Sequence, residues 1–235
     1  MFVTIIVDIK FSGGSSMDYK KYQVKHNNIE MVFYDVPNNS TEWIIHEIFT
    51  QDTYQFEKMQ FSPDTNIVID IGANIGIFST YLAKRFPQVK IYAFEPFPIS
   101  FHFLCKNIKE NQITNIIPVP LAITADRRRI YLYAAKDNLG GANSYVNTVN
   151  TVYAEVSSIT LDDIFRMFDL ASIRMLKIDC EGGEYEILPN SNRLIDIDYL
   201  VGEFHYLYGQ QRDPMPLVEF CKQYFTKDKM QIKCY

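Results

Sequence analysis

The sequence predicts an α/β fold in which helices cover both faces of a doubly wound, mostly parallel sheet, with a cap in front of it. From residue 66 onward, short apolar segments alternate with amphipathic segments. Strands that are apolar on both faces are typical of parallel sheets buried between helices. The first sixty residues lack this alternation and contain β-rich segments followed by a helical pattern. We therefore expect an N-terminal cap over residues 1–60 and the main domain over residues 61–235.

The cap is expected to contain a strand, a β-hairpin and a helix. Phe2–Ile9 is rich in β-branched residues and predicts the strand. Two further β-rich segments, Tyr22–Lys25 and Glu30–Val36, flank the pair Asn27-Asn28, which is typical of a tight hairpin turn. Apolar residues recur at helical spacing from Thr41 to about Gln60, so a helix is predicted there.

The main domain shows strands and helices in alternation. The predicted strands are Ile67–Ile71, Val89–Phe94, Asn115–Val119, Arg129–Ala134, Ile173–Ile178, Tyr199–Phe204 and Met230–Tyr235. The predicted helices are Gly76–Arg85, Ile99–Glu110, Asp162–Phe168 and Pro216–Phe225. Lys136–Tyr153 has little pattern and is expected to be a long active-site loop, because long loops inside compact domains are usually functional or disordered.

Composition narrows the class of protein. The chain of 235 residues is 47% hydrophobic and 22% charged, which is typical of a globular protein. Its net charge of −5 argues against broad binding to nucleic acid or to an anionic membrane.

Four widely spaced cysteines form no CxxC pair, so neither a zinc site nor a disulfide framework is expected. No segment resembles a signal peptide or a membrane span, and a cytoplasmic location is expected. The cluster Arg127–Arg129 predicts a solvated turn, with a site for a phosphate-bearing substrate as the alternative.

The segment D-I-G-A-N-I-G, from Asp70 to Gly76, carries the strongest functional signal. It follows an apolar strand and begins a helix, which is where open α/β sheets bind their ligands. The glycines Gly72 and Gly76 permit tight turns and close approach of a ligand. A dinucleotide site would favour G-x-G-x-x-G, whereas a carboxylate at Asp70 repels phosphate and suits a ligand with an ammonium group. We therefore predict that Asp70 lies beside the ligand.

The second signal is Glu95, which follows the second predicted strand and precedes Pro96. An acid at this position can accept hydrogen bonds from ribose hydroxyls. The two signals together predict a nucleoside-containing cofactor.

Further charged residues follow the later strands. Strand alternation places Lys177, Asp179 and Glu181 on one face, so that the two acids emerge at the carboxyl end of the sheet. Glu203 and His205 end the next strand, and His205 would lie beside these acids if the strands are neighbours. An imidazole near carboxylates can serve as a general base. The same four side chains, Asp179, Glu181, Glu203 and His205, could instead bind a divalent metal ion, although no metal is our first expectation.

These segments resemble the FkbM family of S-adenosylmethionine-dependent methyltransferases. The resemblance covers roughly Glu42 to His205 and depends on D-I-G-A-N-I-G, on A-F-E-P and above all on L-K-I-D-C-E-G-G-E-Y-E-I-L from Leu176 to Leu188. It implies a class I, Rossmann-like sheet of seven strands whose last strand is antiparallel. Only one strand is visible after Tyr199–Phe204, so either the sheet is one strand short or Phe2–Ile9 takes the vacant edge.

The resemblance also implies roles for individual residues. The residues expected to contact the cofactor are Asp70, Gly72, Ala73, Asn74 and Gly76 at the methionine part, Glu95 and Pro96 at the ribose, Ala122 and Ile123 at the adenine, and Ser144 and Asp179. The expected catalytic residues are Asp179, Glu181 and His205, with His205 or Asp179 as the base and Glu181 orienting the substrate. Tyr54 is expected to touch the cofactor or the substrate.

The expected activity is methyl transfer from S-adenosylmethionine to a hydroxyl group of a small molecule, such as a sugar or a secondary metabolite. An N-methyltransferase acting on an amine would have the same cofactor site. A nicotinamide-dependent oxidoreductase is disfavoured because no G-x-G-x-x-G occurs. A binding module that retains the cofactor pocket without catalysis is the remaining alternative.

Overall fold

The computed structural model describes residues 3–9, 19–37, 39–51, 53–61, 66–135, 138–143, 152–207 and 212–235. The strands are β1 Val3–Ile9, β2 Tyr19–His26, β3 Ile29–Asp35, β4 Ile67–Ile71, β5 Lys90–Phe94, β6 Ile116–Val119, β7 Ala122–Ile123, β8 Ile130–Ala135, β9 Asn138–Asn143, β10 Val152–Val156, β11 Ser158–Ile159, β12 Ile173–Ile178, β13 Ile197–Phe204 and β14 Met230–Cys234. The α-helices are α1 Thr41–Thr50, α2 Ile77–Arg85, α3 Pro98–Glu110, α4 Leu161–Met167, α5 Glu184–Ile187 and α6 Met215–Cys221.

The central sheet has six described strands in the order β14-β13-β12-β4-β5-β6, and every neighbouring pair is parallel. Successive residues of β4 face opposite sides: Val68 packs in one hydrophobic cluster, while Ile69 and Ile71 pack in the other. This double burial explains why the strand is apolar at every position except Asp70. The predicted α/β class is therefore confirmed.

The last strand differs from the expectation. β14 runs parallel to β13, with Leu200 opposite Met230, because α6 crosses between the two strands. Among the described residues the sheet is one strand short of seven, and β1 does not take the free edge. β1 pairs instead with β2, in a separate three-stranded antiparallel sheet with β3.

The N-terminal hairpin is packed on the main domain. Asn27 and Asn28 both have positive φ, at 46° and 63°, which matches the predicted hairpin turn. On the outer edge of β3, the side chain of Asn107 in α3 accepts from the amide of Tyr34 at 2.7 Å and donates to its carbonyl at 3.2 Å. Asn107 is fully buried, so these bonds satisfy backbone groups that would otherwise be unpaired.

Helix α1 is shorter than predicted, since it ends at Thr50 rather than near Gln60. The chain turns beyond it, with Gln55 at φ 47°, and Tyr54 and Phe56 are buried against aromatic residues of α2. In a continuous helix, Tyr54 would lie about 140–180° around the axis from Ile45 and Phe49, so one helical face could not bury Tyr54 and Phe56 together. Tertiary packing therefore overrides the helical pattern.

The region predicted to be a long loop is partly a sheet. β9 and β10 flank β8 in a three-stranded antiparallel sheet, although the Gly140-Gly141 pair gives no strand signal. Residues 136–137 and 144–151 lie outside the described residues.

The arginine cluster joins this sheet to its surroundings, because Arg127, Arg128 and Arg129 pair with Asp163, Glu186 and Glu155. These ion pairs leave the phosphate-site alternative without support. No helix in the described ranges is long and apolar enough to cross a membrane.

Candidate active site

The loop that follows β4 is held at the carboxyl edge of the sheet by backbone contacts. The amides of Gly72 and Ala73 both donate to the carbonyl of Phe94 at 3.0 Å. Gly72 has φ +75°, and a Cβ atom there would lie 1.7 Å from the carbonyl oxygen of Asp179. Only glycine fits at this close approach. The motif therefore presses the loop after β4 against the residues that follow β12.

Asp70 lies behind this loop rather than beside a ligand. It is fully buried and lines neither of the two clefts described below. Its Oδ2 accepts a hydrogen bond from Ser79 Oγ at 2.6 Å, and its Oδ1 lies 3.2 Å from Lys177 Nζ. Burial lowers the pKa of Lys177, but the carboxylates of Asp70 and Asp179 outweigh it and raise that pKa above its ordinary value. Lys177 Nζ in turn donates to the carbonyl of Gly72 at 2.8 Å, so Asp70 supports the loop through Lys177.

Glu95 also has a structural task that the sequence does not reveal. Its Oε2 accepts from the amide of Asn74 and its Oε1 accepts from the amide of Phe97, each at 2.8 Å. The side chain is buried, and burial raises the pKa of Glu95 to about 7. Glu95 therefore ties the loop after β4 to the loop after β5.

Two clefts lie at the carboxyl edge of the sheet. The first, here called the Glu95 cleft, has a volume of about 770 Å³. The residues of the predicted cofactor set that line it are Gly72, Asn74, Glu95, Pro96, Ala122, Ile123 and Asp179. Leu121 and apolar side chains of β7 and β8 complete the wall, so the cleft combines an acid with an apolar slot.

The second cleft, here called the His205 cleft, has a volume of about 1090 Å³. Acidic and aromatic side chains dominate its lining. Among the residues that line it are Trp43, Glu47, Tyr54, Ala73, Lys177, Glu203, His205 and Tyr235. The two clefts share Gly72, Asn74, Asp179 and Glu181. A ligand in one cleft can therefore reach a ligand in the other at these four residues.

The predicted convergence of acids and histidine is observed. β12 and β13 are parallel neighbours with Ile178 opposite Gly202, so the residues that follow them emerge side by side. His205 Nε2 lies 3.8 Å from Asp179 Oδ1, 3.7 Å from Glu181 Oε2 and 4.0 Å from Glu203 Oε2. These separations are too long for direct hydrogen bonds. The same three residues, Asp179, Glu181 and His205, are close enough to share a metal ion.

The backbone also supports this cluster. Glu181 has φ 54° and is followed by Gly182 at φ +103°, so the turn after β12 is left-handed at two successive positions. A non-glycine residue in this conformation is uncommon and is often found at functional sites. Gly182 therefore permits the turn that directs Glu181 toward His205.

The negative charge of the cluster changes its protonation. Burial lowers the pKa of His205, but its hydrogen bond to Glu184 and the charges of Glu181 and Asp179 outweigh it and raise that pKa to about 9. Burial and the nearby charge of Asp179 raise the pKa of Glu203 to about 8. At pH 7 the imidazole therefore holds a proton, which is the opposite of the state that we expected for a general base.

Several residues of the clefts carry no sequence signal that we used. Glu47 of α1 is bonded to Lys233 and Tyr235 of the C-terminal segment, and it lines the His205 cleft. Its only sign in the sequence is that an acid interrupts the apolar face of α1. Glu184 is fully buried behind His205, although the segment from Leu176 to Leu188 shows it only as one of four acids.

A further residue of the predicted cofactor set, Gly76, lines neither cleft. Gly76 is the N-cap of α2, where a Cβ atom would lie 2.5 Å from Leu104 Cδ1, so it serves helix packing. Ser144 lies outside the described residues.

Comparison with known proteins assigns the chain to a family. A family model described as the methyltransferase FkbM domain matches residues 70–228. The chain is 26% identical over 187 residues to Methyltransferase sdnD of Sordaria araneosa, covering 66% of this chain and 71% of that protein. It is 27% identical over 175 residues to the 31-O-demethyl-FK506 methyltransferase FkbM of Streptomyces tacrolimicus, covering 63% and 67%. Among solved structures, M. jannaschii TYW2 in complex with AdoMet matches 47% of this chain and 46% of that chain, with 25% identity and a TM-score of 0.31. Since the matched domain spans more than half of the chain, this protein belongs to the FkbM family of S-adenosylmethionine-dependent methyltransferases.

Proposed function

We propose that the protein transfers a methyl group from S-adenosylmethionine to a hydroxyl oxygen of a small molecule bound in the His205 cleft. The observation that carries this proposal is the junction of the two clefts at Gly72, Asn74, Asp179 and Glu181. A cofactor in the Glu95 cleft would present its methyl group at this junction. An acceptor in the His205 cleft would meet it there.

The Glu95 cleft suits each part of the cofactor. Ribose hydroxyls can donate to the free lone pairs of Glu95, whose other lone pairs hold the amides of Asn74 and Phe97. Ala122 and Ile123 are buried in the apolar slot, where an adenine ring would replace solvent. The methionine end then extends along the Gly72 loop toward Asp179.

The His205 cleft favours a hydroxyl over an amine as the acceptor. Glu47, Asp179, Glu181 and Glu203 line it, and such carboxylates stabilise an amine in its protonated form. An ammonium group has no lone pair with which to attack a methyl carbon. A hydroxyl group keeps its lone pairs and can donate its proton to a carboxylate. The name of the relative that acts on 31-O-demethyl-FK506 supports the same choice.

The reaction needs alignment more than chemical activation, because the cofactor already carries the reactive group. The acceptor oxygen attacks the methyl carbon in line with the sulfur, an O–C bond forms, and the C–S bond breaks with its electron pair left on sulfur. The hydroxyl proton passes to a carboxylate of the cleft. Asp179 lines both clefts and lies nearest to this transfer, while α1 closes the outer wall and excludes water.

An acid-lined cleft also disfavours a nucleic acid as the acceptor. Even with Glu203 protonated, the carboxylates of Glu47, Asp179 and Glu181 outnumber the cations Lys177 and His205 in the lining, so a phosphate backbone would be repelled there. We therefore propose a neutral, hydroxyl-rich small molecule as the acceptor, with sugars and secondary metabolites as the first classes to test.

The test is a matched acceptor screen with release of S-adenosylhomocysteine as the readout. Each hydroxyl compound is paired with the analogue in which an amine replaces that hydroxyl. Turnover of hydroxyl compounds but not of their amine analogues is the expected result. Turnover of amines alone would overturn O-methylation. Calorimetry with S-adenosylmethionine and with NAD then separates a methyltransferase from an oxidoreductase, and cofactor binding without turnover of any acceptor would indicate a binding module.

A further inference from the structure

Three potential ligand atoms surround one point at the junction of the two clefts. Asp179 Oδ1, Glu181 Oε2 and His205 Nε2 all lie within 4.8 Å of one another. His205 Nε2 is 3.8 Å from the first and 3.7 Å from the second. Two ligand atoms that share an ion at about 2.1 Å each are typically separated by about 3–4 Å. The cluster therefore has the spacing of a metal site rather than of a hydrogen-bonded network.

A second observation comes from Glu184, which lies outside these three residues. Glu184 is fully buried, and its Oε1 lies 3.0 Å from His205 Nδ1 and accepts from the amide of Cys180 at 3.1 Å. Its Oε2 has no hydrogen-bond partner among the described residues. With Nδ1–H bonded to Glu184, the other ring nitrogen, Nε2, faces the cleft, and a metal ion bound there would take the place of the proton on Nε2. Histidines that bind metals are usually oriented in this way by a carboxylate on the other ring nitrogen.

The environment of Asp179 is consistent with the same arrangement. Its Oδ2 lies 3.6 Å from Lys177 Nζ, which is held in turn by Asp70 and the carbonyl of Gly72. Its Oδ1 is the oxygen that faces His205. The lysine thus balances one oxygen and leaves the other available to a ligand.

We propose that Asp179, Glu181 and His205 bind one divalent cation whose open positions receive the acceptor hydroxyl. Two carboxylate oxygens balance the charge of such an ion, and one imidazole nitrogen suits Mn²⁺ better than Ca²⁺. No cysteine belongs to the ligand set, so a structural zinc site is disfavoured. The ion would withdraw electrons from the bound hydroxyl oxygen and ease the transfer of its proton to a carboxylate of the cleft. That oxygen would then form the O–C bond as the C–S bond breaks.

The binding part of this proposal does not depend on methyl transfer, whereas the catalytic part rests on the proposed function. The test therefore begins with Mn²⁺ alone and the full chain, without cofactor or acceptor. Electron paramagnetic resonance measures the loss of the free Mn²⁺ signal on binding, and calorimetry measures the stoichiometry. The expected result is one ion per chain.

Variants decide whether the ion lies at this cluster. Glu181→Gln and His205→Ala should abolish Mn²⁺ binding, and Glu184→Gln should weaken it by about 10–100-fold, as is typical when the partner of a metal-bound histidine is removed. His102→Ala removes an exposed histidine of α3 and should leave binding unchanged. Glu181 is exposed, so its variant should fold, and circular dichroism checks each protein. Absence of Mn²⁺ binding to the folded parent, or equal binding by the parent and His205→Ala, would overturn the proposal.

An activity measurement separates this failure from failure of the proposed function. Chelation should abolish release of S-adenosylhomocysteine, and added Mn²⁺ or Mg²⁺ should restore it, while calorimetry shows cofactor binding throughout. Full turnover in the presence of chelator would refute the proposed metal site and leave the proposed methyltransferase activity standing. Binding of Mn²⁺ without turnover of any acceptor would support the metal site and refute the proposed reaction.

Discussion

The two clefts meet at four residues but are built in different ways. Around the Glu95 cleft, most polar groups are satisfied by the chain itself: Glu95 holds two backbone amides, and Gly72 and Ala73 donate to Phe94, although the buried Oδ1 of Asn74 has no partner in the described part of the chain. Around the His205 cleft, four carboxylates approach one imidazole at distances of 3.0–4.0 Å, and only the contact with Glu184 is short enough for a hydrogen bond. The first cleft is therefore largely formed without a ligand, whereas the separations between His205 and the other three carboxylates leave room for a ligand between them.

This difference suggests a division of labour. A cofactor with the same structure in every turnover can be held by a rigid cradle whose hydrogen bonds are fixed in advance. An acceptor that changes charge as it loses a proton needs groups whose own charge can respond. Substitutions that alter one cleft at a time test this division.

His205→Ala should affect the chemical step and leave the cofactor cleft untouched. His205 lines only the second cleft and lies at the centre of the carboxylates. We expect kcat to fall by about 10²–10⁴-fold, the usual contribution of acid–base catalysis, because His205 positions the carboxylates that take up the acceptor proton. The Kd of S-adenosylmethionine, measured by calorimetry, should stay the same. His102→Ala is the matched control, and a comparable loss of cofactor affinity in His205→Ala would contradict the division between the clefts.

Gly72→Ala should damage both clefts, because Gly72 lies where they meet. The new Cβ atom would overlap the carbonyl oxygen of Asp179, and the φ of +75° disfavours alanine. Overpacking and the left-handed backbone together should lower the free energy of unfolding by about 2–5 kcal/mol. Urea titration measures this loss, and calorimetry should show weaker cofactor binding in the same variant. An unchanged midpoint of unfolding would show that the loop can move away from β12 at little cost.

The extent to which the sequence predicts these clefts depends on how local each contact is. β4 and β12 were predicted with the boundaries that the structure has, because a short apolar strand that is followed by a glycine-containing turn has a local signature. The convergence of Asp179, Glu181 and His205 could be predicted as well, since parallel strands end at one edge of a sheet.

The errors concern contacts between residues that are distant in the sequence. Asp70 was expected to face a ligand, but the register of β4 and β12 places Lys177 directly opposite it, and the ion pair uses its carboxylate. No local pattern shows which strand lies beside β4. Glu47 of α1 is bonded to Tyr235, which follows β14, and both residues line the His205 cleft. Because they are far apart in the sequence, only the tertiary packing shows that they form one wall. β9 was likewise missed, because its glycine pair disfavours a strand in the sequence and the strand is stabilised by pairing with β8.

Glu95→Gln should weaken both the fold and the binding of the cofactor. Both oxygens of Glu95 accept backbone amides, and the NH₂ group of glutamine would face one of these donors without an acceptor. We expect the free energy of unfolding without cofactor to fall by about 1–3 kcal/mol, and the affinity for S-adenosylmethionine to fall by a similar amount. Thermal unfolding with and without cofactor measures both quantities. Lower affinity with unchanged stability would mean that Glu95 serves the ribose alone.

The protonation of Glu95 should make cofactor binding depend on pH. Burial raises the pKa of Glu95 from 4.5 to about 7, so the folded protein binds more protons than the unfolded chain between these values. The contribution of Glu95 to stability is therefore full below about pH 4.5 and is lost as the pH rises to about 7. Hydroxyl donors of the ribose favour the ionised carboxylate, so affinity for the cofactor should change in the opposite direction. We expect about tenfold tighter binding at pH 8 than at pH 6. The same titration with Glu95→Gln should be flat, and a slope that survives in this variant would assign the pH dependence to another group.

Tyr235→Phe should give the smallest effect and should act on the His205 cleft alone. The hydroxyl of Tyr235 donates to Glu47, and its ring stacks on His205 with centroids 6.2 Å apart and planes inclined by 18°. Phenylalanine keeps the ring and removes only the bond that ties the C-terminal segment to α1, while Lys233 still holds Glu47. Loss of one hydrogen bond to a cleft wall should raise the KM of the acceptor by about two- to tenfold. The Kd of S-adenosylmethionine should not change, because Tyr235 does not line the Glu95 cleft. Tyr224→Phe, at an exposed tyrosine beyond α6, is the matched control for the loss of a hydroxyl. If Tyr235→Phe altered cofactor affinity as much as acceptor KM, the wall formed by α1 and the C-terminal segment would have to serve both clefts.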